Sequence, residues 1–101
     1  DTSRLARPAG NQLPSAVTVR ADASRHATVL EVRTGDRPGV VHLVCKALAA
    51  LDISVCSAHI ETYGPQSLDV FYVQEASAGQ LADGRSAEAA RCVAAALEDS
   101  G

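Results

Sequence analysis

Residues 36–41, Asp36-Arg37-Pro38-Gly39-Val40-Val41, are of types that suit the binding of a small zwitterion. They join a predicted strand to a predicted helix, whose first N–H groups lack an acceptor within the helix and suit a carboxylate. Gly39 lets a ligand approach the backbone closely, and Asp36 can accept an ammonium group. The segment can therefore hold the backbone of a free amino acid. Alternatively, Asp36 only caps the helix, which the residue pattern alone favours because caps are far commoner than ligand sites.

No part of the sequence supports catalysis. Ser54, Ser57 and Ser67 lack a GxSxG context, and no histidine has a cysteine or aspartate partner at a suggestive spacing. Gly35 and Gly39 form neither a GxGxxG motif nor a P-loop. We therefore expect that this chain is not itself an enzyme and holds no cofactor.

The three cysteines, Cys45, Cys56 and Cys92, form no CxxC motif and no Cys–His cluster with metal-ligand spacing. Each lies within an apolar pattern. We interpret them as small buried hydrophobic residues in a reducing compartment, and we expect no metal site.

Composition excludes several classes of partner. The 101 residues fit one domain, and their net charge of −3 gives no electrostatic case for nucleic acid. No run approaches the roughly 20 apolar residues that a membrane-spanning helix needs. The sequence has no Met, even at position 1, and its start has no apolar signal segment. We interpret the chain as a piece of a larger cytoplasmic protein.

Hydrophobic periodicity predicts six elements in the order β-β-α-β-β-α, after a linker over residues 1–14. Apolar residues alternate with polar ones in the strands, whereas Val40, Leu43, Val44, Ala47, Leu48 and Leu51 recur at helical spacing. Ser86 is predicted to cap the last helix, and residues 99–101 to be a frayed end. The predicted elements are strands 17–22, 28–33, 53–62 and 68–74, and helices 40–51 and 86–97.

Two strands depart from simple alternation. In strand 53–62 the apolar residues change from odd to even positions at Cys56, which indicates a bulge or apolar cover on both faces. Strand 68–74 is apolar on both faces, which is typical of a central strand. The predicted fold is α+β and ferredoxin-like, a four-stranded antiparallel sheet with two helices on one face.

The same residues resemble the ACT domains, small regulatory modules that bind amino acids. Residues 28–33 and 36–41 are similar to the first strand, loop and helix start of such a domain. Residues 57–64, SAHIETYG, and 69–73, DVFYV, resemble more narrowly the C-terminal ACT domain of the PII-protein uridylyltransferase/uridylyl-removing enzymes. The likeness covers roughly residues 15–98. Val40-Val41 departs from the Gly-Leu-Leu run that is usual there.

The resemblance implies a regulatory domain that senses an amino acid, glutamine, within a cytoplasmic nucleotidyltransferase and hydrolase acting on the PII signal protein. The nucleotide can be uridylyl or adenylyl. The resemblance places the ligand where the loop meets a neighbouring subunit or domain, and the expected binding residues are Asp36, Arg37, Pro38, Gly39, Val40, Val41, Ser57, Ala58 and His59. The alternative is a structural, ACT-like dimerisation module without a ligand.

The element order differs from the β-α-β-β-α-β usual in ACT domains, because this sequence ends in a helix. We predict that strand 17–22 takes the sheet position of the missing last strand, beside strand 28–33. Because two helices cover only one face, we expect the other face to pair with a second copy of the chain or with a companion ACT domain. His59 is then expected to belong to the sheet face or an interface rather than to contact the ligand.

Overall fold

The computed structural model of the protein describes residues 15–20, 27–35, 39–76 and 79–100. The predicted linker 1–14 lies outside the described residues, as does the end of the first predicted strand. The elements follow the predicted order, and they are β1 (Ala16–Arg20), β2 (Thr28–Gly35), α1 (Val40–Ala49), β3 (Ile53–Tyr63), β4 (Gln66–Glu75) and α2 (Asp83–Ser100).

The four strands form one antiparallel sheet in the order β1-β2-β4-β3. β1 pairs with β2 from Ala16 opposite Arg33 to Arg20 opposite Val29. This ladder confirms that the first strand lies beside the second, in the sheet position that the sequence assigned to it. β4 lies between β2 and β3, so the strand that is apolar on both faces is central, as predicted.

Both helices pack on one face of the sheet, which we call the covered face. Alternate residues of the two central strands point into it, because side chains of a strand alternate between its faces. Leu30 and Val32 of β2 lie beside Phe71 and Val73 of β4, all fully buried. The helices complete the core with Val40, Val44 and Leu48 of α1 and Ala89, Val93 and Leu97 of α2. The predicted α+β, ferredoxin-like fold is confirmed.

The opposite face of the sheet, which we call the open face, carries the other phase of each strand. β4 contributes Leu68, Val70 and Tyr72, which are half-buried. β2 contributes Val29, Glu31 and Arg33, and β3 contributes Ser57, His59 and Glu61, in register with those of β4. An ion pair between Arg20 and Glu31, at 3.0 Å, also lies on this face.

The predicted bulge in β3 is present. Val55 pairs with Val73, but the next residue of β4, Tyr72, pairs with Ser57, so Cys56 is the extra residue. The bulge moves Ala58 to the covered face, which explains the phase change in the sequence. It also leaves Cys56 exposed, while Cys45 and Cys92 are half-buried. The expectation of three buried cysteines was therefore wrong, most clearly for Cys56 on an edge strand.

The last helix begins earlier than predicted. α2 starts at Asp83, and the N–H of Ser86 already donates to the carbonyl of Ala82 at 2.8 Å. Ser86 therefore lies within the helix and is not its cap. Its side chain is buried, and among the described residues its Oγ atom has no hydrogen-bond partner. α2 also continues to Ser100, past the predicted end of the helical pattern.

Near the start of α2, Arg85 forms hydrogen bonds to β4, to α2 itself and to the turn that follows α1. Its Nε and Nη2 atoms donate to the two carboxylate oxygens of Glu75 at the end of β4, each at 3.0 Å. Nη1 donates to Glu88 on the next turn of α2 at 3.0 Å, and Nη2 also donates to the carbonyl of Leu51 after α1. Such a two-pronged contact fixes geometry better than a single ion pair does.

Replacing Ser86 tests whether it is a cap. We expect Ser86→Ala to leave the free energy of unfolding unchanged or to raise it by up to about 1 kcal/mol, because a buried hydroxyl without a partner is itself costly. Urea unfolding of the chain measures this. Asp83→Ala, at the true helix start, is the control and should lose about 0.5 kcal/mol. A loss of about 1 kcal/mol or more for Ser86→Ala would contradict the described geometry.

The Arg85–Glu75 contact should make stability depend on acid pH. The hydrogen bonds from Arg85 lower the pKa of Glu75 in the folded chain, so this contribution is present above the unfolded carboxyl pKa of about 4.3 and is lost as pH falls through the folded value. Urea unfolding at a series of pH values should show that Arg85→Gln is less stable than the unaltered chain at pH 7, and that the difference narrows in acid. Arg91→Gln, on the exposed side of the same helix, should keep the original pH dependence. An equal difference at every pH would refute the role of Glu75.

Candidate functional site

The predicted ligand loop lies between the end of β2 at Gly35 and the start of α1 at Val40. Asp36, Arg37 and Pro38 lie outside the described residues. Gly39 occupies the N-cap position of α1 with φ of 85°, in the left-handed region that favours glycine. Gly39 therefore begins the helix, one residue after Pro38 in the sequence.

The N–H groups at this helix start are available to a ligand by position. The first intrahelical bond that begins at the cap runs from the N–H of Leu43 to the carbonyl of Gly39, at 2.9 Å. The N–H groups of the three residues before Leu43 precede this bond, and within the described part of the chain they have no backbone acceptor one turn earlier. Gly39 has no side chain that could accept from them. The arrangement can present two or three N–H donors, with the positive end of the helix dipole, to an anionic group.

The two valines after Gly39 have different surroundings. Val40 is 5% exposed and belongs to the core, whereas Val41 is 36% exposed. Burial of the Val40 side chain fixes the first turn of α1 against the sheet, while its backbone stays at the helix start. Val41 presents apolar surface next to the same N–H groups. The valine pair therefore keeps the apolar anchor despite its departure from the usual Gly-Leu-Leu run.

The other predicted contacts, Ser57, Ala58 and His59, lie on β3 after the bulge. Ala58 is half-buried on the covered face. Ser57 and His59 are exposed and lie on the open face, on the opposite side of the sheet from α1. The ring of His59 contacts the ring of Tyr72 edge-on, with centroids 5.8 Å apart. The structure thus places Ala58 on the same face as Val40, and it does not bring the Ser57 and His59 side chains to that loop.

The backbone of β3 offers a different kind of contact. β3 is the outermost strand on its side of the sheet, with β4 as its neighbour in the described part of the chain. The outward N–H and C=O groups of an edge strand are not used by the sheet and can both donate and accept. An amide side chain of a ligand matches such an edge, independently of the Ser57 and His59 side chains.

Sequence reasoning missed a polar cluster on the covered face. Thr34, Ser67 and Asp69 are all more than nine-tenths buried, and the Ser67 hydroxyl donates to the Asp69 carboxylate. Thr34 pairs across the sheet with Ser67, and its hydroxyl lies 3.0 Å from that of Ser15. The cluster lies at the end of the sheet from which the loop to α1 departs. The sequence contains one signal for this cluster, the alternation along β4. Ser67 and Asp69 occupy the same face of β4 as Phe71 and Val73.

Other surfaces of the described residues do not coincide with the predicted ligand site. A groove of about 480 Å³ runs between the two helices, lined by Leu43, Lys46, Ala47, Ala50, Ala96 and Asp99. No group of three or more potential metal-ligating side chains is found in the part of the chain that the structure describes. None of its helices combines the length and apolar character needed to cross a membrane.

Several similar proteins are named bifunctional uridylyltransferase/uridylyl-removing enzyme. The chain is 41% identical over 97 residues to the one of Caulobacter vibrioides, a match that covers 95% of this chain and 10% of that enzyme. It is 42% identical over 78 residues to the one of Streptomyces coelicolor, which covers 77% of this chain and 9% of the enzyme. The match to the one of Gluconobacter oxydans has 41% identity over 71 residues, 70% of this chain and 8% of the enzyme.

The chain is similar to one small part of a long enzyme. It spans about a tenth of the length of these relatives, so their activities are not shown for it. No protein-family profile matches the chain. No solved structure matches it either. The resemblance to the uridylyltransferase/uridylyl-removing enzymes is therefore confirmed by relatives of that name, while assignment to the ACT domains stays a prediction that the observed fold agrees with.

Gly39 should be the sensitive glycine of the loop. A side chain at φ of 85° is strained, so Gly39→Ala should lower the free energy of unfolding by about 1–2 kcal/mol. Gly84 is the matched control, because it lies in α2 without a positive φ and an added Cβ atom meets nothing within 4 Å at either site. Gly84→Ala should be neutral or stabilising by up to about 1 kcal/mol. Equal effects of the two variants in urea unfolding would contradict the left-handed cap.

Proposed function

We propose that this chain is the amino-acid-sensing regulatory region of a bifunctional uridylyltransferase/uridylyl-removing protein, and that its ligand is glutamine. The observation that carries the proposal is the helix start at Gly39, where the glycine at the N-cap has no side chain to accept from the first backbone N–H donors of the helix. The 41% identity to an enzyme of that name over 95% of the chain supports the setting. The resemblance of residues 36–41 to an ACT loop supports the ligand class.

In this proposal the ligand is held through its main-chain groups. Its carboxylate accepts from the N–H groups of Gly39, Val40 and Val41, and its ammonium faces Asp36, with Arg37 and Pro38 shaping the loop. Its side-chain amide meets the backbone edge of β3 near Ser57, Ala58 and His59, contributed by a neighbouring subunit or domain. The outermost position of β3 in the sheet supports this last contact.

The setting of the chain follows from the same proposal. The parent protein transfers a uridylyl or adenylyl group to the PII signal protein and removes it, in the cytoplasm. The transferring and hydrolysing sites belong to other parts of that protein, and this chain contributes the response to nitrogen supply. A free amino acid is small, so the isolated chain should bind it modestly unless a second domain closes the site.

A second candidate is a structural module that pairs without binding a ligand. The observation that favours it is the open face, where Leu68, Val70 and Tyr72 are half-buried and no helix of the described residues packs on them. Such a face suits a protein partner. The two candidates differ in whether any amino acid stabilises the chain.

A thermal-shift screen with the twenty amino acids separates the candidates. A ligand present at a hundred times its dissociation constant should stabilise the chain by about 2.7 kcal/mol, so glutamine should raise the midpoint and D-glutamine should not. Titration calorimetry should then show weaker glutamine binding to Asp36→Ala than to the unaltered chain. Glu98→Ala removes an exposed carboxylate from α2 and should bind normally.

The remaining outcomes of these experiments also distinguish the two candidate functions. If Asp36→Ala and the unaltered chain bind glutamine equally, Asp36 is not the partner of the ammonium group. If a different amino acid alone gives the shift, the sensing role stands and the assignment to glutamine is wrong. If neither this chain nor the longer parent protein responds to any amino acid, the chain is a structural module.

A further inference from the structure

The open face carries charges in an order that is complementary to itself. Two rows run across the sheet, because strand pairing aligns residues of β2, β4 and β3. In one row Arg33, Leu68 and Glu61 are in register, and in the next row Glu31, Val70 and His59 are. The apolar residues of β4 thus lie in the middle. Arg33 and Glu61 carry opposite charges on the two sides of Leu68, whereas in the next row the imidazole of His59 lies across Val70 from Glu31, which also pairs with Arg20.

No ion pair joins the two charges of the first row within the described residues. Arg33 and Glu61 lie on strands two spacings apart, about 10 Å, with Leu68 between them. Tyr63 donates a hydrogen bond to Glu61, and this contact with the negative carboxylate raises the pKa of Tyr63. Within the described residues, the ion pairs involve other partners, so Arg33 has no carboxylate of its own.

A two-fold axis that runs along β4 brings these groups together. Rotation by 180° about such an axis places the open face of one copy on that of the other. Each row keeps its position along β4, and β2 of one copy lies over β3 of the other. Arg33 of one copy then faces Glu61 of the second, and Glu31 faces His59, each twice. Leu68, Val70 and Tyr72 of the two copies stack on their counterparts along the axis.

We propose that the partner of the open face is a second copy of this chain, stacked face to face about a two-fold axis along β4. An isologous contact of this kind requires a self-complementary surface, and the opposite charges of Arg33 and Glu61 on either side of Leu68 supply it. Stacked sheets usually differ in strand direction by about 30°, which moves residues one strand from the axis by only about 2–3 Å, within reach of an arginine side chain. The proposal is independent of amino-acid binding.

The size of the face sets the strength of the contact. Three overlapping strands with four rows in register cover roughly 400 Å², which is below the about 800 Å² per partner of a standard interface. We therefore expect reversible association that depends on concentration, in the micromolar range or weaker. The weakness makes the pairing sensitive to the charges around its apolar middle.

Exchange of the charges tests the arrangement in the whole chain. Sedimentation equilibrium from about 5 μM to about 1 mM should show a monomer–dimer equilibrium. Arg33→Glu and Glu61→Arg each create two like-charge contacts in the dimer, so each should weaken dimerisation by about tenfold or more. An equimolar mixture of these two variants restores both contacts, and its average mass should rise above that of either variant alone.

Matched variants control for net charge and folding. Arg91→Glu and Glu98→Arg change the charge by the same amounts on exposed positions of α2 and should dimerise like the unaltered chain. Rescue in the mixture shows that both variants are folded and that the contact is between chains. A chain that stays monomeric at every concentration overturns the proposal. So does a dimer that ignores both exchanges, or a mixture of the two variants that fails to associate.

Discussion

The antiparallel pairing of β2 with β4 is the contact on which the other elements depend. These strands are the two central ones, and their covered faces supply Leu30, Val32, Phe71 and Val73 to the core. Both helices pack against this apolar surface, and they also contact the outer strands, α2 at β1 and α1 at β3. The pairing also fixes which residues face outwards, because a slip of one residue would turn every side chain to the other face. Both the ligand loop and the open face therefore depend on one register.

Placing β1 on the far side of β2 completes this arrangement. In the usual order for this kind of sheet, the last strand of the chain protects the edge of the first. Here that edge is protected by β1, a strand that precedes it in the sequence. Val17 and Val19 of β1 extend the covered face beneath the helices. The sheet keeps its layout although the connections differ.

Much of this fold was predictable because apolar periodicity is set by burial on one face. The alternation in residues 28–33, the helical stripe of α1 and the phase change at Cys56 each identified a feature that the structure contains. The start of α2 was predicted too late. A serine before an apolar pattern resembles a helix cap whether or not the helix has already begun. Asp69 was missed for a related reason: a polar residue at a buried position interrupts the pattern that reveals burial.

The candidate site was less predictable than the fold because sequence neighbours in a strand do not share a surface. Ala58 faces the helices, while Ser57 and His59 face away from them, so three consecutive predicted contacts belong to two faces of the sheet. The backbone edge of β3 is a third surface, which neither face obstructs. A partner stacked on the open face would contact His59 and leave that edge accessible. Self-association and ligand binding can therefore use the same strand at once, since each needs a different side of it.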